Sequence, residues 1–183
     1  MLSNIIEIVT LSLIQGISEF LPISSSAHLV VVSTLYEFKS SSLLIDVSLH
    51  FGSLLAIIFF FRKELINLRN NLKLLSLMFF GSVPLIIVGY ILYKTQLIYA
   101  LRDIRIIAWS TLIFGILLYF ADKCRFDKKI SSSLNLKTIL YIGLFQILAL
   151  IPGVSRAGII ITAARFFKFN RFDSSKISFL LAI

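Results

Sequence analysis

The sequence predicts an all-α integral membrane protein built as a multi-helix bundle. Hydrophobic residues make up 58% of the chain and its mean hydropathy is +0.95, whereas soluble domains contain roughly 45–50% apolar residues. Three apolar segments, 43–61, 72–93 and 106–121, approach or exceed the roughly 20 helical residues that cross a hydrocarbon core. We therefore expect three transmembrane spans within residues 43–121.

The first and last apolar regions predict a different structure. Pro22 and Pro152 interrupt them after roughly 14–17 residues, which is short for a complete span. Non-helical backbone at membrane depth is tolerated where it lines a cavity inside the protein. Residues 5–36 and 138–167 are therefore predicted to form two re-entrant helix hairpins that carry the function.

The two regions also resemble each other. Each contains Gln, an apolar stretch and then Pro-x-x-Ser-x-Ala, with Gln15 before Pro22 and Gln146 before Pro152. An odd number of spans between two copies of a repeat inverts one copy relative to the other. The sequence thus predicts an inverted repeat around one central cavity; chance, or a shared architecture without duplication, is the alternative.

The formal net charge of +9 is concentrated in the connections between apolar segments, which favours membrane topology over nucleic-acid binding. Two connections are predicted to be cytoplasmic, and their basic residues are Arg62, Lys63, Arg69 and Lys73, then Lys123, Arg125, Lys128, Lys129 and Lys137. The connection between these two holds fewer basic residues, namely Lys94, Arg102 and Arg105.

Cys124 is the single cysteine of the chain, which excludes an internal disulfide and indicates an incidental loop cysteine.

The chain is interpreted as a single membrane domain over residues 1–183. Its start lacks the basic region and cleavage site of a secretory signal, so the first apolar segment is expected to be retained. Residues 176–183 are expected to begin a further span. That apolar run has no cap or polar tail, so we expect a chain truncated at its C-terminus.

Two polar motifs interrupt the apolar sequence, where such groups are costly and mark functional sites. Gln15 and Glu19 are four residues apart and share one helix face, so Glu19 is a candidate metal ligand or general base with Gln15 as a neutral helper. A buried, merely hydrogen-bonded carboxylate is the alternative. His28 is a candidate nucleophile, proton donor or metal ligand, and a structural histidine is the alternative. The Ser24–Ser26 hydroxyls either cap a helix or bind phosphate oxygens.

The second motif contains Arg156 after the Pro152-Gly153 break. A guanidinium keeps its charge and needs an anionic partner, for which a phosphate bound through two hydrogen bonds is a good match. An interfacial, snorkelling arginine is the alternative. Asp46 and His50, four residues apart at the start of a span, are interpreted as a supporting or structural polar pair.

The motifs QGISEFLPISSSAH and PGVSR, with Gln146 six residues ahead of Pro152, resemble the undecaprenyl-diphosphate phosphatase family, the bacitracin-resistance type of membrane phosphatase. The resemblance implies dephosphorylation of undecaprenyl diphosphate to the monophosphate, which recycles the lipid carrier of bacterial cell-wall synthesis. It also implies dependence on a divalent metal, Mg²⁺ or Ca²⁺, and a site facing the periplasm in the inner membrane. A homodimer stays open, and no nucleic-acid partner is expected.

Residue by residue, the resemblance implies catalytic roles for Glu19, Ser25, His28 and Arg156, and metal binding by Gln15 and Glu19. For substrate binding, the resemblance implies Ser155 and Arg156. The hydroxyls of Ser24 and Ser26 and the backbone amide at Gly153 are further candidates from the residues themselves. The family's second motif reads PGxSRSxxT, whereas this chain has Ala157 and Ile160 at the later serine and the threonine, with Thr162 two places on.

These residues predict a mechanism in which Arg156 and the amides of residues 153–155 hold the phosphates while Glu19 positions a cation. Either Ser25 or His28 then attacks or relays the proton. A prenyl-phosphate carrier or flippase is a rival function, because broken helices around charged residues also describe transporters. An inactive relative that binds prenyl diphosphates is another. Release of inorganic phosphate distinguishes hydrolysis from both.

Overall fold

The computed structural model describes residues 2–38, 43–97, 101, 103–123 and 126–183. Within these residues the fold is all-helical, without a β-strand. Arg102, Cys124 and Arg125, named above, lie outside the described residues. The helices are α1 (Leu2–Ser18), α2 (Ser25–Leu35), α3 (Leu43–Phe60), α4 (Arg62–Asn70), α5 (Leu72–Lys94), α6 (Ile104–Lys123), α7 (Ile130–Ser133), α8 (Leu136–Gln146), a 3-10 turn (Ile147–Leu150), α9 (Arg156–Phe166) and α10 (Arg171–Ala182).

Two helices, α5 and α6, are long and apolar enough to cross a membrane, with 23 and 20 residues. Only 17% of the most apolar stretch of each is buried inside the protein, so neither is the enclosed core helix of a soluble domain. The apolar helix Leu44–Phe60, at the position of the first predicted span, is shorter. Its role as a third span stays a prediction.

Each proline-containing region forms a helix, a break and a second helix. In the first, α1 ends at Ser18 and α2 begins at Ser25; in the second, the 3-10 turn after α8 ends at Leu150 and α9 begins at Arg156. Proline lacks a backbone N–H and disfavours helical conformation in the residue before it. The two helices after the breaks, α2 and α9, have 11 residues each. The re-entrant and inverted arrangement of these regions stays a prediction.

The hydrophobic core lies where α5, α8, α9 and α10 pack together. Its fully buried side chains include Ile139, Ile160 and Ile177. Gly81 on α5 and Gly143 on α8 allow a close helix crossing, because a Cβ at Gly143 would collide with the Gly81 carbonyl. The second proline region is therefore anchored on this core, whereas α1 packs on α2 and α3.

The Pro152-Gly153 break is held against α6 by side chains from that helix. Ser110 Oγ donates to the Pro152 carbonyl at 2.6 Å, and Thr111 Oγ1 donates to the Gly153 carbonyl at 3.1 Å. Gly153 has a φ of 95°, which glycine adopts without strain. These contacts fix the position from which α9 begins.

Two features differ from the sequence-based expectations. The basic connection after α3 is itself a helix, α4, and the last helix begins at Arg171, five residues before the predicted start at 176. The Asn170 side chain accepts from the Asp173 amide at 2.8 Å and caps α10, so the helix begins in polar sequence that hydropathy alone excludes from a span.

Candidate active site

A cavity of about 470 Å³ lies where the two proline breaks meet. The first break contributes Glu19 and Ser24–Ser26, and the second contributes Ser155 and Arg156. Much of the remaining wall is apolar and comes largely from α3 and α10. Its apolar residues are Ile23, Val47, Phe51, Leu54, Ile57, Ala149, Val154, Ala157, Phe179 and Ala182.

Glu19 is the centre of the polar network. Its Oε2 accepts hydrogen bonds from Ser25 Oγ at 2.7 Å and from Gln15 Nε2 at 2.9 Å, while Oε1 lies 3.5 Å from Arg156 Nη2. His50 Nδ1 lies 3.4 Å from Oε2. The carboxylate therefore joins the two proline regions, which are 137 residues apart in the chain.

Two helix N-termini border the cavity. Ser24 caps α2 by accepting from the Ala27 amide at 3.4 Å, and Ser155 caps α9 by accepting from the Gly158 amide at 3.1 Å. The first N–H groups of a helix and its dipole favour a negative charge at this end. The predicted Ser24 and Ser155 hydroxyls thus serve as caps, and the helix ends that they define lie at the cavity with Arg156. Gly153 lies in the break itself and does not line the cavity.

His28 lies away from this network. It does not line the cavity, and its Nδ1 is 2.6 Å from the carbonyl oxygen of Ser24, the N-cap residue of its own helix. The two residues are four positions apart, so the ring folds back along α2. Of the two predicted nucleophiles, the structure brings only Ser25 to Glu19.

The site contains two residues that the sequence analysis did not assign to it. His50 Nδ1 is 2.8 Å from Gln15 Nε2, and Ser53 Oγ is 3.1 Å from the same amide nitrogen. His50 and Ser53 are three positions apart, so both face Gln15 from one side of α3. Polar residues at this spacing inside an apolar helix were the available signal. Asp46, the predicted partner of His50, does not line the cavity.

The departures from the family motif have unequal consequences. Ala157 lines the cavity, and Ser178 Oγ lies 3.5 Å from its carbonyl oxygen and also borders the cavity. Ile160 is fully buried in the core, and Thr162 donates to the Gly158 carbonyl at 2.8 Å. Isoleucine at position 160 therefore extends the packed core and leaves the cavity wall unchanged.

The predicted metal pair is not arranged as two oxygen ligands. Gln15 turns its amide nitrogen toward Glu19, and its Oε1 is buried without a hydrogen-bond partner. Across the described parts of the chain, no group of three or more His, Cys, Asp or Glu side chains is placed to hold a metal ion. Gln15 is thus placed as a hydrogen-bond donor to Glu19, and the binding of a metal ion by Gln15 and Glu19 stays a prediction.

The fold and the cavity define a class: a helical membrane protein with a cavity that combines a carboxylate, a guanidinium and two helix N-termini with an apolar wall. The model of the family described as bacitracin resistance protein BacA matches residues 8–183. An undecaprenyl-diphosphatase of Pelagibacter ubique is 72% identical over the whole chain, which covers 72% of that protein. Undecaprenyl-diphosphatases of Saccharophagus degradans and Campylobacter curvus are each 41% identical over 98% of the chain, which again spans 72% of their length. The chain belongs to the BacA family, as its motifs predicted.

Proposed function

We propose that this protein hydrolyses undecaprenyl diphosphate to undecaprenyl phosphate and inorganic phosphate. The relatives are named for this substrate. The observation that carries the proposal is one cavity that holds the Glu19 carboxylate, the Ser25 hydroxyl and the Arg156 guanidinium beside an apolar wall. Such a wall suits a prenyl chain, and the polar end suits a diphosphate.

In this proposal Ser25 is the nucleophile and Glu19 its general base. The 2.7 Å hydrogen bond from Ser25 Oγ to Glu19 Oε2 supports this assignment, because a base must lie within hydrogen-bond reach of the proton it removes. As Oγ bonds to the terminal phosphorus, the bond from that phosphorus to the lipid phosphate breaks. Glu19 takes the Ser25 proton and passes it to the departing lipid phosphate.

Water then attacks the phosphoserine. The bond between Oγ and phosphorus breaks, inorganic phosphate leaves, and Ser25 recovers a proton from the water through Glu19. Arg156 and the N-termini of α2 and α9 stabilise the charge that develops on the transferred phosphoryl oxygens. Arg156 also pairs with Glu19 in the resting site at 3.5 Å.

We propose that activity depends on a divalent metal ion that binds together with the substrate, with Glu19 as its protein ligand. Mg²⁺ is often held by one or two carboxylates together with substrate phosphates. Glu19 is one such carboxylate, so the cavity suits a Mg²⁺ or Ca²⁺ ion that arrives with the diphosphate. Bound there, the ion would supply additional neutralisation of phosphate charge.

We also propose a multi-pass inner-membrane protein whose cavity faces the periplasm. Ser110, near the start of α6, contacts the second break, and Lys123 ends the same helix. These residues are 13 positions apart, or about 20 Å along a helix. If the basic end of α6 is cytoplasmic, as the distribution of Lys and Arg favours, the cavity lies toward the opposite side. A topology reporter inserted at Lys128 that reads as external would contradict this orientation.

The experiment that tests the function is phosphate release from undecaprenyl diphosphate by the purified protein in detergent. A terminal phosphate label and rapid acid quenching would also trap the phosphoserine. Wild-type protein is expected to release phosphate and to carry the label. Ser25→Ala should lose both, whereas Ser12→Ala, a hydroxyl that donates within α1 away from the cavity, should keep both.

Other outcomes separate the alternatives. Binding without phosphate release from wild-type protein would favour a carrier or an inactive relative. A label retained by Ser25→Ala and lost by His28→Ala would move the nucleophile to His28 and overturn the mechanism.

A further inference from the structure

His50 is the polar residue that α3 contributes to the cavity; the other lining residues of that helix are Val47, Phe51, Leu54 and Ile57. Its side chain is 40% exposed. The ring therefore has one edge in the network around Glu19 and another edge open to the cavity. Nδ1 is the nitrogen in the network, because it lies 2.8 Å from Gln15 Nε2 and 3.4 Å from Glu19 Oε2.

The neighbours of Gln15 determine its amide orientation. Glu19 Oε2, a hydrogen-bond acceptor, lies 2.9 Å from the amide group, so the group facing it must be the N–H₂ end. The opposite orientation would bring two acceptor oxygens together. Gln15 Nε2 can only donate and carries two hydrogens, and its two shortest contacts are His50 Nδ1 at 2.8 Å and Glu19 Oε2 at 2.9 Å, so Nδ1 of His50 accepts. A neutral imidazole with an accepting Nδ1 carries its proton on Nε2.

We propose that His50 binds a phosphate group of the substrate through its Nε2–H. This inference deepens the proposed function and depends on it for the identity of the substrate. Arg156 on α9 and His50 on α3 then hold the diphosphate from two different helices. His50 acts as a neutral donor, so it adds a hydrogen bond to the phosphate while Glu19 keeps its hydrogen bonds with Gln15 and Ser25.

The position of His50 also makes it a specificity determinant. Residues 47, 50, 51, 54 and 57 lie on one face of α3 at helical spacing, and four of the five are apolar. The imidazole marks the place on this face where the phosphate-binding surface meets the apolar surface. A prenyl diphosphate that bonds to His50 has its first isoprene units against the neighbouring apolar side chains.

Two substitutions separate binding of the substrate from support of Gln15. The asparagine amide lies close to the position of histidine Nδ1, so His50→Asn keeps a partner for Gln15 but loses the donor in the cavity. The longer glutamine amide reaches the position of Nε2, so His50→Gln keeps a donor in the cavity but loses the partner of Gln15. Ser48→Ala is the matched control, because Ser48 is on the same helix, is exposed and donates to the Leu44 carbonyl.

The measurements are the Kd for farnesyl diphosphate, a detergent-compatible prenyl diphosphate, and kcat and KM for undecaprenyl diphosphate. His50→Asn is expected to weaken binding about tenfold or more, since a hydrogen bond to a charged group is lost, and to raise KM accordingly. His50→Gln should stay within about threefold of wild type, and Ser48→Ala should match wild type. The unfolding midpoint of each variant identifies a general loss of structure.

Unchanged binding by His50→Asn would overturn the assignment. So would the reverse pattern, in which His50→Gln is the weaker binder, because that pattern identifies a residue that only positions Gln15. Failure of the proposed function is seen separately, as absence of phosphate release from wild type, and the Kd comparison still decides the role of His50 in that case.

Discussion

Replacing Gly153 with alanine is expected to destabilise the second break and to lower phosphatase activity with it. The residue has a φ of 95°, where a side chain costs about 1–2 kcal/mol. A Cβ there would also collide with Ser110 Oγ and lie 2.6 Å from the Ile107 carbonyl oxygen and 2.9 Å from Thr111 Oγ1. The backbone atom cannot rotate away, so the break must move off α6.

The movement would stretch the hydrogen bonds that Ser110 and Thr111 donate to the Pro152 and Gly153 carbonyls. Each is worth about 1 kcal/mol. With the conformational cost, Gly153→Ala should therefore lose about 3 kcal/mol of stability. Because α9 begins just beyond this break, displacement also moves Arg156 away from Glu19, and kcat should fall as well.

The assay is the thermal unfolding midpoint in detergent, measured beside phosphate release. Gly16→Ala is the control: Gly16 lies within α1, and a Cβ there meets nothing within 4 Å. In a helix this change is expected to be neutral or to stabilise by about 0.5–1 kcal/mol. If Gly153→Ala unfolds at the same temperature as Gly16→Ala and turns over normally, Gly153 is not needed to hold the break against α6.

Three further predictions concern charge. Arg156→Lys should lower kcat/KM about 100-fold or more, because lysine lacks the planar pair of donors; near-normal kinetics would remove Arg156 from phosphate binding. Asp122→Ala should destabilise the fold by about 3 kcal/mol. The substitution removes the carboxylate that lies 3.6 Å from the buried Arg165 guanidinium and forms a 2.6 Å ion pair with Arg171. Denaturant unfolding measures the loss of stability, with Asp127→Ala, at an exposed position, as the control. Chelation by EDTA should lower phosphate release and added Mg²⁺ should restore it, whereas a rate that ignores both would exclude the cation.

Local sequence was sufficient to locate the two breaks and the groups that meet there. Proline inside an apolar run has a direct backbone effect, and Glu19 and Arg156 are conspicuous in sequence of bilayer composition. Their approach to 3.5 Å across 137 residues followed from the internal similarity of the two regions. The inverted relation of the two regions, which the same similarity predicts, stays a prediction.

The contribution of α3 was harder to predict, because it depends on tertiary packing. His50 and Ser53 meet Gln15 only because α3 packs against α1, and no local pattern encodes that contact. The amide orientation of Gln15 follows from the same neighbours, and its expected role as a metal ligand stays a prediction. His28 has the right chemistry and a place in the motif, but its ring lies along α2. The orientation of a side chain cannot be predicted from the sequence motif alone.

The long separation between Glu19 and Arg156 has a consequence for biosynthesis. At about 5–20 residues per second, the carboxylate precedes its cationic partner by roughly 7 to 27 seconds of translation. Gln15, Ser25 and His50 are all made early, within the first 50 residues, and their contacts with Glu19 need no part of the second half. The nascent first half thus brings its own hydrogen-bond partners for an acidic group entering the bilayer, and Arg156 arrives at a site that already holds its carboxylate in place.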